Sequence, residues 1–316
     1  MSGGPDLGAL FGAAAAETFL GLPPCPDLSR LDAPAAIFGA GGATPYASVG
    51  SYCRNAPAAL RAATAAFAGG FDRYDFESGG PLFPDLSRLP ADTGDLPLSE
   101  TDFAANRAAI RERTAAILAR GAVPVMLGGD DSTPIPMLEA LGARTAALWI
   151  LQIDAHIDWR DEHMGERLGL SSTMRRASGM AHVAGIVQVG ARGMGSARSG
   201  DVAAARAWGA RLVTAEALDG DGVAAALAPI PEGADIAICF DADALDPSIM
   251  PAVIGRAPGG LSYWQALGLM RGAAARGRIV AADFVEFMPE RDVDGLGALT
   301  FARLVADALG LIAGQG

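Results

Sequence analysis

Asp154-Ala155-His156-Ile157-Asp158 and Asp241-Ala242-Asp243-Ala244-Leu245-Asp246-Pro247 each follow a continuous apolar run that reads as a β-strand. Alternate side chains of an extended segment point the same way, so Asp154, His156 and Asp158 can face one point in space. Asp241 and Asp243 can reach that point from a second strand. Carboxylates crowd strand ends in this manner when a cation neutralises them. An oxygen-rich donor set with one imidazole has the geometry of a two-metal centre, which activates water for hydrolysis.

The elements that must position these residues are short apolar strands at 35–39, 123–127, 147–153, 186–190, 236–240 and 279–284. They alternate with helix candidates at 58–67, 101–120, 202–210, 263–275 and 298–312. Continuously apolar strands are buried on both faces, so the alternation predicts an α/β fold with a mainly parallel central sheet and helices on both sides. Such sheets bind ligands beyond the carboxyl ends of their strands. Every polar motif lies at such an end: Gly128-Gly129-Asp130-Asp131-Ser132, the two acidic clusters, Gly190-Ala191-Arg192-Gly193 and Asp283-Phe284-Val285-Glu286. Residues 71–100, rich in Pro, Asp and Gly, read as a long loop. With no internal repeat, residues 1–316 are expected to form one domain, 1–30 being an N-terminal extension.

A net charge of −12 argues against nucleic acid or an anionic membrane as partner and favours a small cationic molecule. No run reaches the roughly 20 apolar residues of a membrane span. The N-terminal apolar stretch carries Asp6 and Glu17 rather than a basic lead, so no signal peptide is expected. Cys25, Cys53 and Cys239 lack metal-site spacing, and Cys239 reads as a buried small hydrophobe. A reduced, cytoplasmic setting follows as the expectation.

The paired motifs Asp-Ala-His-x-Asp and Asp-x-Asp-x-x-Asp-Pro, in this order, resemble those of the ureohydrolase family of arginases, agmatinases and guanidino-acid hydrolases. Gly128-Gly129-Asp130, Met174-Arg175-Arg176, Gln188-Val189-Gly190-Ala191-Arg192, Pro258-Gly259-Gly260-Leu261 and Asp283-Phe284-Val285-Glu286 add to the resemblance. It implies a three-layer α/β/α, arginase-like fold, trimers or hexamers, and a site for two divalent ions, Mn2+ or Ni2+. Carried over residue by residue, Asp154 and Asp241 would bridge the metals, with Asp158 completing the first site and His156 and Asp243 the second. Asp158 would also hydrogen-bond the attacking hydroxide, and Glu286 would grip the guanidinium. Asp246 would be structural, paired with an arginine such as Arg192. Asp130 would be a supporting or helix-capping residue, Arg175 and Arg176 would lie at interfaces or strand ends, and His182 would be structural. Residues 41–51 would form a substrate-side loop.

The departures carry as much weight. Where the family's first motif ends in a ligand histidine this chain has Asp131, and the family's proton-shuttle histidine falls near Leu170. Asp131 can bind a metal, but a carboxylate in place of imidazole adds negative charge and weakens the cations as Lewis acids. Leucine moves no proton, and His163, in the same loop, is the candidate substitute. Agmatine, guanidino acids, free guanidine and biguanides such as metformin are then the candidate substrates. The rival reading is a catalytically degenerate subunit that supports an active paralogue in a hetero-oligomer. The continued presence of Asp154, His156, Asp158, Asp241, Asp243 and Glu286 weighs against it.

Overall fold

Segments of four to nine residues, the central ones apolar and flanked by glycine or aspartate, build the sheet in the computed structural model, which describes residues 17–195 and 197–315. The strands are β1 (Ala35–Gly39), β2 (Tyr74–Asp75), β3 (Gly80–Pro81), β4 (Ala91–Asp95), β5 (Val123–Leu127), β6 (Leu148–Ile153), β7 (Val183–Ala191), β8 (Arg211–Thr214), β9 (Asp235–Asp241) and β10 (Arg278–Val285). Eight of them form one sheet in the order β4-β1-β5-β10-β9-β6-β7-β8, and every neighbouring pair is parallel. β2 and β3 form a separate small hairpin. The segment read from sequence as a long loop, 71–100, therefore holds this hairpin and the edge strand β4. Ala91-Asp92-Thr93-Gly94-Asp95 has no apolar run, and its pairing with β1 makes it a strand.

The helices are α1 (Ala56–Thr64), α2 (Phe103–Ala119), α3 (Pro134–Leu141), α4 (Thr173–Ala177), α5 (Ser199–Trp208), α6 (Ala215–Leu227), α7 (Tyr263–Arg276) and α8 (Leu296–Ala313). The two-residue alternation of the strands sends side chains to two separate cores. Ile37, Leu127, Ile153, Ile238, Phe240 and Phe284 face α1, α6, α7 and α8. Phe38, Met126, Ile150, Cys239, Val280 and Ala281 face α2, α3, α4 and α5. The result is the three-layer α/β/α architecture. α8 shows the helical pattern plainly, burying Phe301, Leu304, Val305, Ala308, Leu309 and Ile312 on one stripe. A Ser262–Gln265 capping box starts α7, each side chain satisfying a free backbone N–H of the other. Cys239 is fully buried, and burial pushes its thiol up, as suits a packing residue.

Chain order explains where the site lies. β5 is followed by a jump to β6, and β9 and β10 return later to fill the gap between them. Loops leaving the carboxyl ends of β5 and β6 diverge there, which opens a crevice over the four central strands.

Away from that crevice, Asp307 of α8 is buried and accepts a hydrogen bond from Tyr263 Oη at 3.0 Å. Burial raises its pKa from 3.8 to about 6, against the pull of that hydrogen bond. A carboxyl raised on folding costs stability when ionised, so the cost is full above about pH 6 and gone below 3.8. Asp307→Asn keeps an acceptor for Tyr263 and is expected to stabilise the chain by on the order of 1–2 kcal/mol at pH 8. Urea unfolding should show that gain shrinking as the pH falls from 7 towards 4. A pH-independent difference would mean that ionisation of Asp307 is not its source.

Candidate metal centre

Four adjacent strands supply the site: β5, β10, β9 and β6, in spatial order. The turn after β5 delivers Asp131, β10 ends one residue before Glu286, β9 ends in Asp241, and β6 ends one residue before Asp154. All six carboxylates, Asp131, Asp154, Asp158, Asp241, Asp243 and Glu286, are buried. Four of them, with His156, place donor atoms in two overlapping groups, Asp131–Asp154–Asp158 and Asp154–His156–Asp243, each with its atoms within 4.8 Å of one another, while Asp241, expected to bridge, falls in neither. Asp154 belongs to both. Asp131 Oδ2 is buried without a hydrogen-bond partner.

A short network aims these side chains. Gln152 Nε2 donates to Asp154 Oδ2 at 2.6 Å and to Asp158 Oδ2 at 2.7 Å. Gln188, its register partner on β7, donates to Gln152 Oε1 and to the Ile157 carbonyl, which fixes the amide of Gln152. The His156 N–H donates to Asp154 Oδ1 at 2.6 Å, and the Asp243 N–H donates to Asp241 Oδ1 at 2.7 Å. His156 Nδ1 lies 3.1 Å from Asp243 Oδ2. Asp158 and Glu286 both adopt positive φ, at 41° and 64°. Such backbone is costly for a branched or bulky residue and is retained where the surroundings fix a functional side chain.

Electrostatics make the same point as geometry. Burial raises Asp131, Asp158 and Asp241 well above the usual carboxylate range, and neighbouring carboxylates push them further in the same direction. Burial works against a charged His156, yet its hydrogen bonds to Asp154 and Asp243 bring its pKa up to about 12. A donor set of this charge, with a buried unpartnered oxygen inside it, fits divalent cations.

Glu286 closes the other side. Its N–H donates to the Gly129 carbonyl, and its Oε1 accepts the Asp131 N–H at 2.9 Å. Gly129 is required here, because a Cβ would stand 2.5 Å from the Gly41 backbone. Burial and the Asp130 charge bring Glu286 up to about 8, while Tyr52 and the Asp131 N–H draw it down. The surrounding cavity, of about 190 Å³, is lined by Asp131, Asp158, Asp241, Asp243 and Glu286 together with Tyr52, Trp159, Arg160 and Leu170.

Several expectations need correction. Arg192 does not pair with Asp246: its guanidinium donates to the carbonyls of Asp243, Ala244 and Ala257, among others. Asp246 instead accepts from Ser248, Gly259 and Gly260, and so closes its own loop. Arg176, with Arg167 beside it, clasps Asp161 and folds the loop after β6. Arg175 joins them at 3.6 Å, so both arginines have a structural role, in this loop rather than at a strand end. His163 is not brought to the cavity wall. It forms an antiparallel bridge with Glu166, its ring packs on Tyr46 at 4.9 Å, and its Nδ1 lies 3.0 Å from Arg160, which stands between it and the cavity. Leu170 does line the cavity. Asp130 is a supporting residue, accepting from both the N–H and the hydroxyl of Ser132, and Ser132 Oγ in turn accepts the Thr44 N–H of the 41–51 loop. His182 is structural, with Nε2 2.9 Å from the Leu138 carbonyl.

The sequence reading missed Gln152 and Tyr52. Gln152 had a signal: it is the one polar residue of β6, on the same face as Asp154. Tyr52 had none, because its partner lies far along the chain.

The model of the arginase family matches residues 33–310. The chain is similar to the mitochondrial agmatinase of Gallus gallus, 31% identical over 77% of this chain and 72% of that protein. It is also similar to the mitochondrial guanidino acid hydrolase of Homo sapiens, 31% identical over 72% of this chain and 65% of that one. The solved structure of proclavaminate amidino hydrolase from Streptomyces clavuligerus superimposes with a TM-score of 0.82 at 25% identity, over 96% of this chain and 99% of the other. With an eight-stranded parallel sheet and two candidate ligand groups at the carboxyl ends of its central strands, one all-carboxylate and one carboxylate–histidine, this chain belongs to the arginase family.

Proposed function

We propose that the chain hydrolyses a C–N bond of a small guanidino compound, releasing urea or a substituted urea and an amine. The observation that carries this reading is the convergence of both donor groups and Glu286 on one cavity. Asp131, Asp154 and Asp158 would hold one divalent ion, and Asp154, His156 and Asp243, with Asp241 beside them, a second. Manganese and nickel are the candidates. When bound, the pair supplies Lewis acidity and activates water.

The remaining work falls to the chain itself. Glu286, held by the Asp131 N–H, orients the guanidinium by charge-assisted hydrogen bonds. Gln152 fixes the Asp158 carboxylate, leaving its other oxygen to accept a proton or hydrogen bond from the nucleophile's side. Trp159 and Leu170 exclude water from the wall. The lining includes both Arg160 and Asp201, so an acidic and a basic substrate tail each meet a counter-charge. Agmatine, guanidino acids, guanidine and biguanides all remain within this class.

Metal content by elemental mass spectrometry, after growth with manganese or with nickel, tests the reading. About two ions per chain are expected for the wild type and about one for Asp131→Ala. Unchanged stoichiometry in Asp131→Ala would remove that residue from the site. Near-zero metal in the wild type, with no hydrolysis across the guanidino compounds, would sink the proposal. It would support the degenerate-subunit reading instead, to which Asp131 and Leu170 at the two family histidine positions point.

A further inference from the structure

The loop that follows β1 places Tyr52 directly on Glu286. Its Oη stands 2.7 Å from Oε1 and 2.6 Å from Oε2. Near-equal distances put the hydroxyl on the bisector of the carboxylate, on the open side that a two-pronged guanidinium would use. The Asp131 N–H already occupies another lone pair of Oε1. Burial and the Glu286 charge raise the Tyr52 phenol well above 10, so it remains a donor at any working pH. Tyr52 also lines the cavity beside Asp131, Asp158 and Asp241. A guanidinium therefore cannot form a bidentate pair with Glu286 while the hydroxyl is there.

We infer that Tyr52 is a specificity-determining residue that competes with the substrate guanidinium for Glu286. This rests on the guanidine-hydrolase reading above. A substrate must displace the hydroxyl, and its remaining contacts must compensate for the hydrogen bond that is lost. Compounds with few contacts beyond the guanidinium are therefore disfavoured, and those whose substituent reaches the rim are selected. The loop has the means to yield. Gly50, two residues earlier, adopts φ 63° with open space around its Cβ position, and the ring itself is only partly buried.

The test measures binding, not turnover. Guanidinium chloride is titrated by calorimetry into metal-loaded wild type, Tyr52→Phe and Glu286→Gln. Phenylalanine keeps the ring and removes only the donor, so the fold is not put at risk. Tyr52→Phe is expected to bind guanidinium about tenfold more tightly than wild type, the worth of one hydrogen bond to a charged acceptor. Glu286→Gln is expected to lose binding. Equal or weaker binding by Tyr52→Phe, with Glu286→Gln still impaired, would overturn the competition and make Tyr52 a residue that positions Glu286 for its ligand. No binding by wild type or by Tyr52→Phe would overturn the guanidine site itself, and this inference with it.

Discussion

Asp154→Asn is expected to strip metal from both donor groups at once and to lower hydrolysis by about 10³-fold or more. The reason is topological as much as chemical. Asp154 is the one residue common to the two groups, and it also accepts from Gln152 and from the His156 N–H. The amide nearly preserves shape, but its NH2 must face one of those two donors, and the site loses a shared anionic ligand. Loss of fold is distinguishable from loss of metal. In metal-free protein burial works against a charged Asp154, yet its hydrogen bonds and His156 hold it below the usual carboxylate range, so the substitution is expected to lower the thermal midpoint while leaving a cooperative transition. Elemental analysis and melting of the same preparation check both halves. A variant that retains two metals per chain would remove Asp154 from the bridging role.

The second large effect belongs to Glu286. Glu286→Gln is expected to lower kcat/KM by roughly 10²-fold while leaving metal content unchanged, because a neutral amide cannot match a carboxylate as partner for a guanidinium. Its pH profile carries a second signature. Burial, with the Asp130 charge, brings Glu286 up to about 8, so below that pH the free side chain carries a proton. A cation binds to the ionised form, so kcat/KM should climb as pH rises towards about 8. Divalent ions nearby would move that limb to lower pH. In Glu286→Gln the limb should vanish. A limb that persists unchanged would belong to another group, and a Glu286→Gln enzyme with unaltered kcat/KM would free Glu286 from any contact with substrate.

How much of this could be read in advance differs from residue to residue. β5, β6, β9 and β10 are buried on both faces and flanked by glycine or aspartate, so their apolar runs announce them without an alignment. β4 and β8 do not announce themselves. One is polar and glycine-containing, the other has only four residues, and both lie at sheet edges where half the burial is missing. Their strand state comes from the neighbour they pair with. The short helices α3 and α4 were likewise invisible, being too brief for a periodicity to show.

His163 shows the limit for a side chain. Its position in the loop after β6 suggested a proton carrier. The loop's actual path depends on the Asp161 clasp and on Gly169, where a Cβ would stand 2.3 Å from the Tyr46 ring. With the loop on that path the cavity wall holds Leu170 and Arg160, and His163 lies behind Arg160.

What the sequence determined by itself is the set of candidate ligands and their place at strand carboxyl ends. The pleat alternation expected to aim them does not reach them: Asp154, His156 and Asp158 lie in a bend beyond β6, with Asp158 at φ 41°, and Asp243 lies in a 3-10 turn beyond β9. What only the tertiary structure decided is who meets whom across the chain. Asp154 shares its metal group with Asp243, Gln152 finds Gln188, and Tyr52 reaches Glu286 across 234 positions of sequence. Those encounters follow from strand order and loop closure, which depend on the packing of the whole sheet and are written in no single segment.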